Sequence, residues 1–311
     1  MNPFDIIGDI HGHYDKLIAL LAKLGYAPRH GVWQHPAGRK VVFLGDFIDR
    51  GPRIRQVLQL VRGMCDAGHA MAVMGNHEFN AIAFHTAHGK NDHLRPHTAW
   101  NRQQHAGTLA DFFDRRGEWA GWLEWFKDLP FYLDLGGIRA VHACWHPAEM
   151  AVVAGKTLHD PDFLQAAGMI GTPECQAVEV LLKGMEVPLP PEALYHDKEG
   201  HPRGAIRARW WNEAAVGETY RSLIFPPADS PPESLVPAEL AALMPGYPDA
   251  APPVFVGHYW LPASHPLGPL RPNLACLDYS AAKAGPLVAY RWDGEAVLEP
   301  HKFLAAHAHE N

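Results

Sequence analysis

The chain has 311 residues, 47% of them hydrophobic, which is enough for one large domain or two modest ones and too apolar for a disordered tail. A formal net charge of -7 leaves no bulk positive field to hold a polyanion, so general nucleic-acid binding is not expected. Four scattered cysteines (Cys65, Cys144, Cys175, Cys276), no long apolar run and no basic-then-apolar pattern in Met1–Asp5 lead to the expectation of a cytoplasmic protein without disulfides or membrane spans.

Phe4–Gly8 is read as a short buried strand, after which Leu17, Leu20, Leu21 and Leu24 recur at helical spacing and Gly25 stops the helix. Lys40–Leu44 repeats the strand. Pro52 then stands where a helix opens, Ile54, Val57, Leu58, Val61 and Met64 form its apolar face, and Gly68 ends it. Ala70–Met74 is a third strand, followed by another helical run. Three strand-loop-helix units of this kind point to an α/β architecture, in which polar groups collect beyond the carboxyl ends of strands. Trp119, Trp122, Trp125 and Phe126 form a buried helix face. Phe131–Leu135 and Ile138–Ala143 around Gly136-Gly137 read as a hairpin, and Val254–Val256, Leu274–Leu277, Leu287–Trp292 and Ala296–Leu298 as further strands. Residues 150–250 carry the prolines of Val187–Pro191, Phe225–Pro227 and Ser230–Glu233, and are expected to form an irregular insertion or cap. The tail Ala305–Asn311 is expected to be disordered.

The 21 histidines are a surplus that composition alone does not explain. Some stand in motifs at the strand ends: Gly8-Asp9-Ile10-His11-Gly12, Gly45-Asp46-Phe47-Ile48-Asp49-Arg50-Gly51, Gly75-Asn76-His77-Glu78 and Gly257-His258, with His142 between the last two. In this order they resemble the calcineurin-like metallophosphoesterase superfamily, and within it the phosphoprotein-phosphatase branch, whose signatures are GDxHG, GDxxDRG and GNHE. Leu274–Tyr290 is similar to the closing strand of bacterial relatives that include symmetrical diadenosine tetraphosphatases.

The resemblance implies an α/β fold of the α+β type, a β-sandwich of two mixed sheets flanked by helices, as one domain over 1–311 with the insertion at about 150–250. It implies two divalent ions, manganese first and iron or zinc as alternatives, held by Asp9, His11, Asp46, Asn76, His142 and His258, with Asp46 bridging. Carboxylate, amide and imidazole suit such ions. Two ions at about +2, less two carboxylates and one bridging hydroxide, leave roughly +1 for a phosphate dianion, a balance that the neutral Asn76 preserves. The hydroxide is the nucleophile. His77 is carried over as the acid for the leaving oxygen, Asp49 as the group orienting its ring, and Arg50 as a bidentate phosphate ligand beside Asn76. For a second phosphate-binding arginine Arg209 is chosen, with Arg207 close behind it.

Two departures stand out. Trp260 occupies the place where many superfamily members have a second histidine, one that the phosphoprotein-phosphatase branch also lacks, and Ala143-Cys144 follows His142 where two small residues are usual. A thiol near the metals would make activity sensitive to oxidation. The expected substrate is a phosphorylated protein or a small phosphomonoester, with diadenosine tetraphosphate as the alternative. A metal-binding scaffold without catalysis is the alternative of another class, and the presence of His77, Asp49 and Arg50 speaks against it. The run His85, His88, His93, His97 and His105 lacks carboxylate or cysteine partners at ligand spacing and is expected to be solvated.

Overall fold

The structure, a computed structural model, describes residues 3–90, 92–191, 193–196, 202–212, 215–228 and 231–307. Strand β1 (Phe4–Ile7) is buried along its whole length. It continues into α1 (Tyr14–Lys23), β2 (Lys40–Phe43), α2 (Ile54–Asp66), β3 (Ala70–Ala72) and α3 (Asn76–His85). The stripes foreseen for the first two helices, Leu17, Leu20 and Leu21 and then Ile54, Val57, Leu58, Val61 and Met64, are the faces they bury. Helix α2 opens on Ile54 with Arg53 as its cap, so Pro52 precedes the helix instead of opening it.

Helices α4 (Ala99–Gln104), α5 (Ala106–Asp111) and α6 (Arg116–Lys127) follow, and α6 buries Trp119, Trp122, Trp125 and Phe126. The hairpin is β4 (Tyr132–Asp134) with β5 (Arg139–Val141). The chain later supplies β6 (Val254–Val256), β7 (Leu274–Cys276), β8 (Leu287–Trp292) and β9 (Phe303–Ala306).

Two mixed sheets result, one in the order β9-β8-β1-β2-β3 and one in the order β7-β6-β5-β4. Phe255 of β6 packs on Tyr290 of β8 with ring centroids 5.2 Å apart, joining the two sheets through fully buried side chains. Within the first sheet β1, β2 and β3 are parallel. Within the second β5, β6 and β7 are parallel. Parallel strands present all their carboxyl ends on one edge, so each sheet offers three loops to a common rim.

Three expectations are corrected. Ala296–Leu298 is not a strand: after the Asp293-Gly294 turn the chain passes through a short 3-10 turn, Pro300–Lys302, and only then pairs with β8, Leu287 opposite Ala306. Ala305 and Ala306 therefore belong to an edge strand and not to a disordered tail; residues 308–311 lie outside the described residues. The middle region is more regular than its prolines implied. Helices α7 (Pro147–Val153), α8 (Pro161–Gly168) and α9 (Pro173–Lys183) each begin on proline, whose preset φ and missing N–H suit a first turn. His146, Asp160 and Thr172 cap them through their side chains. Beyond them Glu186–Pro188 pairs with Ala205–Arg207 as a short ribbon, while Ser230 of the Ser230–Glu233 stretch lies outside the described residues. None of the described helices is long and apolar enough to cross a membrane.

Candidate metal centre

Every motif residue follows a strand on the common rim. Asp9, Asp46 and Asn76 come after β1, β2 and β3, and His142, His258 and Asp278 after β5, β6 and β7. The loops that carry them are contorted. Seven of the eight non-glycine residues with positive φ among the described ones are His11, Asp46, Asp49, Arg50, His258, Trp260 and Ser280, all in these loops. Such conformations cost on the order of 1–3 kcal/mol each and persist where surrounding contacts enforce them.

Asp46 lies at the centre. Its Oδ2 is 3.5 Å from His11 Nε2 and 4.0 Å from His77 Nε2, while its Oδ1 is 3.4 Å from His142 Nε2. Two clusters of potential ligand atoms thus share one carboxylate: His11 with Asp46 and His77, and Asp9 with Asp46 and His142. The rings are aimed from behind. His11 Nδ1 is 3.0 Å from the Ile48 carbonyl and His142 Nδ1 is 2.6 Å from the Leu44 carbonyl, so each ring donates there and turns Nε2 inward. Asn76 Oδ1 sits 3.1 Å from His142 Nε2 and 2.7 Å from His258 Nδ1. Asp9 accepts the His258 backbone N–H at 3.0 Å.

Several observations fit these residues to cations. Asp9 Oδ1, His11 Nε2 and His258 Nε2 are buried without a hydrogen-bond partner. Asp9, Asp46 and Asp278 are at most 2% exposed, an arrangement of carboxylates that demands positive charge. Burial, with Asp278 and Asp46 adding to it, drives the Asp9 carboxyl well above its usual range. Burial also pulls His11 down to about 3 and, helped by Arg207 and His142, holds His258 well below an ordinary histidine. Both shifts favour the neutral ring, the form that binds metal, whereas His142, despite its burial, is raised to about 10 by Asp46 and Asp9.

The Asp49 carboxylate is gripped from both sides. Its Oδ2 is 2.6 Å from His77 Nδ1, and its Oδ1 receives His105 Nδ1 at 2.8 Å and the Thr108 hydroxyl at 2.5 Å. Burial alone would raise its pKa, but the hydrogen bonds from His105 and His77 reverse this and hold it below the carboxylate range. His77 behaves in the opposite sense: burial disfavours its charge, yet Asp46 and Asp49 raise its pKa.

Arg50 stands at the rim, its guanidinium 4.4 Å above the Trp260 ring and Nη2 donating to Gln104 at 3.1 Å. Trp260 is thus a platform for Arg50 where other superfamily sequences have histidine. The cleft is lined by Arg207 and Lys183 and not by Arg209. Arg209 stands two residues beyond Arg207, half-buried like it, with its Nε buried and without a hydrogen-bond partner among the described residues. Cys144 is also displaced from its expected role. It is fully buried, with its backbone N–H facing the Leu181 carbonyl at 3.4 Å, and burial pushes its thiol pKa well up, which disfavours the reactive thiolate. Cys144→Ser is expected to leave peroxide sensitivity unchanged, measured as residual hydrolysis after graded oxidant.

Sequence reasoning passed over Glu78, Asp278, His105 and Thr108. Glu78 is fully buried and accepts the N–H groups of Asp46 (2.8 Å), Phe47 (2.8 Å) and Gly75 (3.1 Å), fastening the second motif to the third. Burial and Asp46 push its carboxyl up to about 7. Asp278 accepts the N–H groups of Trp260 at 2.7 Å and Ser280 at 2.9 Å. His105 is buried and not solvated as expected; its three-residue spacing from Thr108, which places both on one helix face, was the available signal.

Glycine is required where the loops meet. A Cβ on Gly257 would lie 2.0 Å from Asp9 Oδ1, and one on Gly45, at φ +90°, 2.4 Å from the Gly75 nitrogen. Gly257→Ala is accordingly expected to displace the Asp9 carboxylate and reduce metal retention at least tenfold, read by equilibrium dialysis. Retention equal to that of the unmodified chain would contradict this packing.

The chain belongs to the calcineurin-like phosphoesterase family, whose sequence model matches residues 3–164. It is thereby a hydrolase of phosphoester bonds in a class that uses divalent metals. It is 50% identical over 74 residues to the bis(5'-nucleosyl)-tetraphosphatase PrpE [asymmetrical] of Halalkalibacterium halodurans and 49% identical over 74 residues to that of Bacillus subtilis. Each match spans 24% of this chain and 30% of the relative, less than a third of its length. A serine/threonine phosphatase from Saccharomyces cerevisiae superposes with a TM-score of 0.47 at 13% identity, covering 100% of this chain and 81% of that one.

Proposed function

We propose that this chain hydrolyses phosphate monoesters, on phosphorylated proteins or small molecules, at a centre of two divalent cations. The observation that carries this reading is the division of Asp46, whose two oxygens face different histidines and make it the shared ligand. Asp9 and His11 would complete one position, and Asn76, His142 and His258 the other. Manganese is the expected ion, with iron or zinc suited to the same donors. When bound, two such cations neutralise charge on the phosphoryl oxygens and acidify water at neutral pH.

The protein's own groups supply the rest. Asp49 accepts Nδ1–H of His77, so in the protonated ring the Nε2–H would point into the cleft, toward the oxygen that leaves phosphorus. His105 and Thr108 keep Asp49 from turning away. Arg50, braced on Trp260, and Arg207, which lines the same cleft, would clamp the remaining phosphoryl oxygens. Glu78 and Asp278 hold the loops in register.

A second reading, cleavage of a dinucleoside tetraphosphate, is favoured by the activity for which the PrpE proteins are named. Aryl phosphate, a phosphoserine peptide and diadenosine tetraphosphate should be offered separately with Mn²⁺. Turnover of aryl phosphate is the expected result. Turnover of the dinucleotide alone would transfer the assignment, to symmetrical cleavage if the product is ADP and to asymmetrical cleavage if it is AMP with ATP. Inactivity on all three with manganese, iron, zinc and magnesium would return the chain to a metal-binding scaffold.

A further inference from the structure

The backbone beside His142 is held from several sides. The His142 carbonyl accepts the Gly257 N–H at 2.8 Å, which ties it to the loop that carries His258. The next N–H, that of Ala143, donates to the Leu181 carbonyl of α9 at 3.0 Å. The Ala143 carbonyl then accepts two side chains at once, the Trp210 indole N–H and the Tyr259 hydroxyl, each at 3.1 Å. Ala143, Trp210 and Tyr259 are at most 1% exposed, so both bonds form out of reach of water, where they are strongest.

A single partner would satisfy a buried carbonyl; the second fixes its direction. The donors come from separate segments. Tyr259 directly follows His258, and its ring is wedged edge-on against Phe225 and Trp211, with centroids 5.1 and 6.4 Å away. Trp210 belongs to the proline-rich middle region, and its ring packs edge-on against Trp211 at 5.5 Å and Tyr247 at 6.0 Å. Packing by itself would hold phenylalanine in either place. The indole N–H and the phenol O–H are therefore spent on the carbonyl. His142 Nδ1 on the Leu44 carbonyl already sets the turn of the imidazole, and the bonds around Ala143 set where its main chain stands. Among the described residues neither Ala143, Trp210 nor Tyr259 lines the cleft, so any influence on it passes through the backbone.

We infer that Trp210 and Tyr259 are positioning residues for the cation position of Asn76, His142 and His258, acting through the Ala143 carbonyl. The middle region thereby helps to build the centre and does more than cover it. The inference rests on the two-cation reading. Partners that hold a ligand from behind typically govern metal affinity by 10–100-fold.

The test is equilibrium dialysis of Mn²⁺ against the unmodified chain and its Trp210→Phe and Tyr259→Phe variants, with Trp292→Phe as the matched control. Trp292 is also buried, and its indole N–H donates to a carbonyl, that of Glu295, at 2.8 Å in β8, so its loss is the same chemical change elsewhere in the fold. The expected result is that one of two Mn²⁺ equivalents weakens about tenfold or more in Trp210→Phe and in Tyr259→Phe, that the other stays within about twofold, and that Trp292→Phe changes neither. In a His258→Ala background, which keeps the Asp9 and His11 position, adding Trp210→Phe should have no further effect. Equal weakening of both equivalents, retention of both, or the same selective loss in Trp292→Phe overturns the inference. Should Trp210→Phe fail to fold, Tyr259→Phe carries the same test on the same carbonyl. Fewer than two equivalents on the unmodified chain would refute the two-cation reading and the inference with it, whereas two equivalents that the variants keep refute the inference alone.

Discussion

Asp46→Asn should cost this protein both its metal and its turnover, and should do so without unfolding it. The carboxylate offers one oxygen toward His11 and His77 and the other toward His142, whereas an amide has a single oxygen and turns a nitrogen donor to one side. Metal-ion catalysis contributes several kcal/mol, so its loss predicts at least about a 10³-fold fall in kcat/KM. The chain itself should tolerate the change. Asp46 is buried near Asp9, Asp278 and Glu78, whose repulsion the change relieves, but despite burial His142, His77 and His11 hold its carboxylate well below the usual range, an attraction the change forfeits, while an Asn Oδ1 can still accept the His77 backbone N–H that Asp46 Oδ1 accepts at 3.0 Å. Attraction outweighs repulsion at Asp46, so thermal unfolding in chelator should be modestly lower with the chain still folded, and the added stability conferred by Mn²⁺ on the unmodified chain should vanish. A variant with a full metal complement by atomic emission and activity within tenfold would remove Asp46 from the bridging position.

His77→Asn separates proton transfer from metal binding. Its ring is oriented by the 2.6 Å contact with Asp49, and the other ring nitrogen faces the cleft. A positioned acid contributes about 10²–10⁴-fold, and this variant should lose turnover in that range on an alkyl phosphate, whose alkoxide needs a proton to leave. On an aryl phosphate with an acidic phenol the loss should be much smaller. Metal content should stay near that of the unmodified chain, because Asp9, His11, Asp46, Asn76, His142 and His258 are untouched. Equal losses on both leaving groups, or metal loss matching that of Asp46→Asn, would contradict the role assigned to His77. Asp49→Asn should follow the same leaving-group pattern at reduced amplitude, since His77 keeps its place on α3 but loses the partner of Nδ1.

Much of this architecture is readable from residue order because local chemistry demands it. Buried parallel strands need continuous apolar runs such as FDII and KVVF, amphipathic helices need stripes such as that from Ile54 to Met64, and tight approaches need glycine at Gly45 and Gly257. The proline-led helices α7, α8 and α9 were illegible for the opposite reason: proline in a list reads as a breaker, and only its position after a capping His146, Asp160 or Thr172 makes it an opener. The edge strand Phe303–Ala306 depends on pairing with β8 and not on its own pattern.

The same division runs through the site. The identity and order of Asp9, His11, Asp46, Asn76 and His77 are visible in the chain because each lies two to five residues beyond one of three parallel strands of one mixed sheet, so their convergence follows from local structure. Whether Arg207 or Arg209 faces the cleft turns on side-chain direction along one irregular segment, which no period predicts. The grip of His105 and Thr108 on Asp49, the approach of Asp278 to Trp260 and the hold of Trp210 and Tyr259 on Ala143 join segments 18 to 116 residues apart. Such contacts are set by packing of whole elements, and only the folded chain decides them.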